Sequence, residues 1–158
     1  MRKTLLFILF TQTLFSQSIP ITLEDKIYHS VDVFVANPNE SNLKILELEE
    51  KKYHPKSKSE LLAFVILKCN KAYYQNEFGQ TNNAIQSYET AWRLYEKNKL
   101  SNYDITENCL LKLGNLYTIL GDYDNAENII KQYFYAANLE RNQSLKCTAI
   151  NNLCIVYQ

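Results

Sequence analysis

Apolar positions along the chain recur at intervals of three and four residues, the spacing of a helix with one buried face, and Gly, Pro and Asn punctuate them. Ile27, Val31 and Phe34 mark a first helix, with Thr22 placed to cap it and Pro38 to end it. Leu43, Ile45, Leu46 and Leu48 mark a second, which Ser41 is placed to cap and which closes in the charged run Glu49 to Lys52 ahead of Pro55. Ser57 and Glu60 have capping-box spacing and open a strongly apolar helix through Leu61, Leu62, Phe64, Val65, Leu67, Ala72 and Tyr73, ended by Gly79. A fourth helix is predicted from Thr81 to Lys97, burying Ala84, Tyr88, Ala91, Trp92 and Leu94. Leu110, Leu113, Gly114 and Tyr117 share one face of the next, which Gly121-Asp122 breaks. Asp124 and Glu127 then stand in capping-box spacing before Ala126, Ile130, Tyr133 and Phe134, and a last helix starts near Ser144. The chain thus reads as a string of short helices, and the expected fold class is all-α.

The stretch LKLGNLYTILGDYDNAENII holds the strongest signal, because Gly114 and Ala126 are small between large neighbours, as two closely crossing helices require. Gly79 and Ala84 repeat the spacing of Gly121 and Ala126, and Leu113, Gly114 and Tyr117 are echoed by Leu153, Cys154 and Tyr157. In these residues the chain resembles tetratricopeptide repeat (TPR) proteins. The resemblance implies helical hairpins stacked as a short right-handed solenoid. Residues 57–100 and 104–141 would each form one repeat, 144–158 an incomplete one, and 17–56 a degenerate N-terminal pair. The period near 40 exceeds the family's usual repeat of about 34 residues, and Tyr133 and Asn138 stand where the family usually has Ala and Pro. The last helix lacks a hairpin partner, which would leave Ile150, Leu153, Ile155 and Val156 partly uncovered. The expectation is a C-terminally truncated repeat array whose final face is covered by further chain or by a second copy, as a homodimer.

The resemblance also implies function. First helices of successive repeats would line a concave groove that takes a peptide or a helix. The groove-facing candidates are Asn108, Leu111, Asn115 and Thr118 on one first helix and Asn151 on the next. Amides, a hydroxyl and one leucine suit peptide-backbone recognition better than a carboxylate clamp, which needs Lys or Arg. More remotely, the chain resembles the N-terminal repeat region of CHAT-domain proteins, in which a caspase-like peptidase domain follows the repeats. That would make this segment a substrate-recruiting region. A membrane sensor with a downstream signalling module is the alternative.

Composition changes this picture mainly at the N-terminus. Arg2 and Lys3 precede the apolar run Leu5 to Phe10, and Ser16 and Ser18 offer small residues at a cleavage site, so residues 1–16 read as a signal peptide removed on export to the periplasm or the extracellular space. Broken by Thr11, Gln12 and Thr13, the run is too short for a permanent membrane span. The 17 basic and 17 acidic residues balance and are interspersed, which argues against nucleic-acid binding. Candidate chemistry is sparse. His29 and His54 have no Cys or carboxylate at ligand spacing, so no metal or other cofactor is expected. Cys69, Cys109, Cys147 and Cys154 form no CxxC motif. Cys69 and Cys154 fall on apolar faces as structural thiols, and Cys109 with Cys147 is the pairing to consider if the thiols oxidise. With no base near a cysteine and no phosphate-binding loop, the segment reads as non-catalytic.

Overall fold

The computed structural model describes residues 21–158, and within them every regular element is helical. The expected signal peptide lies outside the described residues. The helices are α1 (Leu23–Ala36), α2 (Glu40–Glu50), α3 (Lys58–Glu77), α4 (Thr81–Lys97), α5 (Leu111–Ile119), α6 (Tyr123–Leu139) and α7 (Gln143–Val156), with a π-helical turn, Thr106–Leu110, leading directly into α5. None of the helices among the described residues is long and apolar enough to cross a membrane.

Local chemistry sets most of the boundaries. Thr22 and Asp25 close a capping box at α1, and Ser57 and Glu60 close another at α3. Elsewhere the caps differ from those expected. Asn39, not Ser41, caps α2, because its side chain reaches the Asn42 N–H at 3.0 Å while the Asn42 amide ties back to the Asn37 carbonyl at 2.8 Å. Asp122 rather than Asp124 caps α6, and Asn142 caps α7 two residues before Ser144. Gly79 and Gly121 have φ of +76° and +74°, a left-handed turn that lets α3 fold back onto α4 and α5 onto α6.

The π turn is the main irregularity. The Leu111 N–H bonds the Thr106 carbonyl five residues back. This wider turn keeps Thr106, Cys109 and Leu110 all facing inward, and Thr106 donates to Glu140 at 3.3 Å.

Two apolar clusters share α3. Ala63 and Leu67 pack with Ile27, Val31 and Phe34 of α1 and Leu43 and Leu46 of α2, whereas Val65, Cys69 and Ala72 join α4, α5, α6 and Ala149 of α7. Ile45 and Leu48, expected with their neighbours on the buried face of α2, are exposed. Gly114 lies directly against Ile130, where a β-carbon would come within 2.8 Å of its Cγ1. On α7, Leu153 and Val156 rest against the core, while Ile150 and Ile155 are exposed.

Candidate functional site

The face between α3 and α5 carries two of the five candidate binding residues, Asn108 and Asn115. Asn108 begins it on the π turn, where its side-chain amide donates to the Asp104 carbonyl at 2.9 Å. Asn115, one turn below Leu111, is exposed and accepts a hydrogen bond from Asn152 of α7 at 3.1 Å. Leu111 is spent on packing against the larger core cluster. Thr118 turns its hydroxyl back to the Gly114 carbonyl at 2.9 Å. Asn151 is exposed on α7, and it is the adjacent Asn152 that reaches across to α5.

Tyr73 is central to this face. The periodicity placed it in the core, yet its side chain is 43% exposed. Tyr74, the next residue, turns inward against Phe34 with ring centroids 5.0 Å apart, and successive helical positions point about 100° apart, so both rings cannot share one face. The Lys112 ammonium sits 6.0 Å from the Tyr73 ring centroid. Two adjoining hollows share these residues. One of about 180 Å³ is lined by Tyr73, Asn76, Lys112 and Asn115 among others, and one of about 100 Å³ by Cys69, Asn70, Tyr73, Tyr103, Asn108 and Lys112 among others. The amides Asn70, Asn76, Asn108 and Asn115 thus surround an exposed aromatic ring and one cation. Lys112 and Asn76 were not singled out in the sequence, and Tyr73 was named only as a core position. The Tyr-Tyr pair at 73–74 was the signal that one ring had to leave the core.

A larger cleft of about 580 Å³ opens between α2, α3 and α4, and several of its polar side chains pair with one another. Glu50, 8% exposed, takes one ammonium on each carboxylate oxygen, from Lys68 and from Lys71. Burial alone would push the Glu50 carboxyl up, but hydrogen bonds and charge from the two lysines outweigh it and hold the group below the usual glutamate range. Gln75 donates to Glu47 at 2.9 Å and accepts from Ser87 at 2.8 Å, which ties the three helices together. An apolar hollow of about 340 Å³ between α1 and α2 is lined in part by His29, Val33, Phe34, Ile45 and Leu46.

The cysteines separate into two environments. Cys69 and Cys109 are buried, and Cys109 donates to the Tyr88 carbonyl at 3.3 Å. Cys147 and Cys154 are exposed on α7, so Cys154 does not fill a core position and Cys147 is not paired with the buried Cys109. Contact with the Cys69 thiol, and then burial, raise the Cys109 thiol well above its usual range. Among the described residues no three His, Cys, Asp or Glu side chains converge as a ligand set. No protein-family model, curated protein or solved structure matches the chain.

Proposed function

We propose that this chain is an exported, non-catalytic interaction module that holds an extended peptide along the α3–α5 face. In this reading the helices from Lys58 onward are TPR-like hairpins. Two equal features support that arrangement. The second helices, α4 and α6, are each 17 residues long, and each follows a Gly in the left-handed conformation. The extra length of the repeat lies in the connection after Lys97 and in the π turn.

The observation that carries the binding reading is the exposed Tyr73 ring under Lys112, ringed by asparagine amides at two adjoining hollows. Amides donate and accept together, as a peptide backbone does, so the Asn side chains can pair with an extended segment in either polarity. Tyr73 offers a flat apolar surface at low ordering cost, since it has only two side-chain torsions.

The test is a photo-crosslinking probe placed at Asn76 in the exported protein, with wild type compared to Tyr73→Ala and Asn115→Ala. The expected result is one predominant crosslinked polypeptide, weakened by about tenfold in Tyr73→Ala, the scale of a lost aromatic contact of roughly 1.4 kcal/mol. Equal crosslinking by all three proteins would overturn the assignment of this face. Circular dichroism of the variants separates loss of binding from loss of fold.

A further inference from the structure

The charges that α2, α3 and α4 bring to the cleft of about 580 Å³ do not cancel. Lys51, Lys68 and Lys71 line it together with Glu47 and Glu50, which leaves one positive charge in excess. Lys51 is exposed, but Lys71 is only 8% exposed and the Lys68 side chain 15%. Among the described residues Glu50 is the only carboxylate paired with either of these two ammonium groups. One carboxylate thus serves two largely buried cations. A net buried charge is costly unless an opposite charge reaches it. Each ammonium carries three N–H donors, and one Glu50 oxygen apiece leaves donors on both.

The neighbouring side chains are held in place. Gln75 is clamped between Glu47 and Ser87, and the Phe64 ring centroid lies 5.3 Å from the Lys68 nitrogen. From α4, Asn83, Gln86 and Thr90 line the cleft at i, i+3 and i+7, so one helix face presents two amides and a hydroxyl in a row. The Gln86 side chain is exposed, and its amide makes no hydrogen bond among the described residues. Every lining residue is polar or charged, which rules out an apolar occupant. The volume falls within the range of roughly 300–1,000 Å³ that small-molecule sites occupy, more than a bare inorganic ion fills.

We infer that this cleft binds a small hydroxylated organic anion, a sugar acid or a sugar phosphate, with its oxyanion on the Lys68 and Lys71 ammonium groups and its hydroxyls on Gln86 and Thr90. The oxyanion supplies the missing negative charge, and it accepts N–H donors that Glu50 leaves over. The amides and the Thr90 hydroxyl match a ring of hydroxyl groups, which both donate and accept. Lys68, Lys71 and Gln75 form one stripe of α3, whereas Tyr73 lies about 200° around the helix from Lys71. The anion site and the peptide face therefore occupy opposite sides of α3, and neither depends on the other.

Binding to the folded state alone is readable as stability. At ten times its dissociation constant a ligand shifts the unfolding equilibrium by about elevenfold. Urea unfolding of the full chain is followed at constant ionic strength while chloride is exchanged for glucose 6-phosphate or for D-glucuronate, with D-glucose as the uncharged control. The expected result is a saturable rise in the urea midpoint with at least one of the two anions and none with glucose. A response to glucose 6-phosphate alone identifies the ligand as a phosphate ester, and a response to glucuronate as a carboxylate. Lys68→Met leaves Glu50 and Lys71 as a neutral pair, so this variant should fold and lose the rise. Gln86→Ala keeps the charges and should weaken the fitted affinity by about three- to tenfold, the scale of one lost hydrogen bond. No saturable rise with either anion would overturn the proposal. So would an equal rise in Lys68→Met, or a rise with glucose matching that with the anions. Should Lys68→Met fail to fold, unchanged affinity in Gln86→Ala overturns the assignment of the cleft by itself.

Discussion

Close approach at single residues governs how these helices meet. Gly114 is the tightest such point, since a β-carbon there would fall 2.8 Å from Ile130 Cγ1, inside the distance that packed carbons tolerate. Ile130 is itself 1% exposed and cannot swing away. Gly114→Ala gains about 1 kcal/mol of helix propensity but forces a shift in a packed core costing about 1–3 kcal/mol. The net expectation is a loss of roughly 1 kcal/mol in urea unfolding. In an Ile130→Ala background the colliding carbon is absent, so the same substitution should become stabilising, and additivity between the two changes would show that they do not touch. Tyr133 presents the opposite case. It is wholly buried, and its hydroxyl has no hydrogen-bond partner among the described residues. Tyr133→Phe removes an unsatisfied polar atom without changing the ring, and should leave stability unchanged or raise it by about 1 kcal/mol. A clear loss in thermal unfolding would mean that the hydroxyl is satisfied in solution.

Between elements, α2 is held to α3 by charge as much as by apolar contact. Glu50 lies between Lys68 and Lys71, and Gln75 extends the network to Glu47 and Ser87. Glu50→Gln leaves the buried Lys71 and the partly buried Lys68 without their counter-charge and should cost about 3 kcal/mol at neutral pH. The pH dependence has a definite sign. Because the folded-state pKa of Glu50 is lowered, the stabilisation it provides is complete above the unfolded-state value of about 4.3 and is lost as pH falls through the folded value. The gap between wild type and Glu50→Gln in urea midpoints should therefore shrink on acidification. A gap independent of pH would assign the loss to geometry rather than charge. This network was not visible in the sequence, where Glu49 to Lys52 looked like a solvated run that merely ended a helix. Local pattern shows where a charge sits along one helix, but pairing with Lys68 and Lys71 depends on how α3 packs. The same distinction explains the caps. Ser57 with Glu60 was readable as a reciprocal pair, whereas Asn39 took the cap from Ser41 by accepting from the Asn42 N–H, with the Asn42 amide tied back to the Asn37 carbonyl.

Across the whole molecule, helix type and most of the core were legible because each buried stripe repeats at helical spacing. Ala84, Tyr88 and Ala91, and likewise Ala126, Ile130 and Tyr133, are buried as their spacing required. The π turn was not legible, since the hydrogen bond from the buried Thr106 goes to Glu140, the residue just after α6, 34 positions away. For the proposed binding face, the sequence reading named Asn108 and Asn115, which line its hollows, but assigned the exposed Tyr73 to the core; the cross-helix hydrogen bond from α7 is made by Asn152, the neighbour of the named Asn151. The division of α3 between two apolar clusters has a consequence for unfolding. α1 and α2 pack on α3 and on each other, so their stability is a nearest-neighbour quantity, in the manner of stacked helical units. Leu67→Ala opens a cavity in that N-terminal cluster alone and should cost about 2–5 kcal/mol there. Trp92, the single tryptophan, reports on the other cluster through its hydrogen bond to Gln132 at 2.7 Å. In Leu67→Ala, helical circular dichroism should begin to fall at a lower urea concentration than Trp92 fluorescence, as α1 and α2 detach before α4 and α6 separate. Superimposed transitions would instead show that α3 transmits the defect along its length and that both clusters unfold as one cooperative unit.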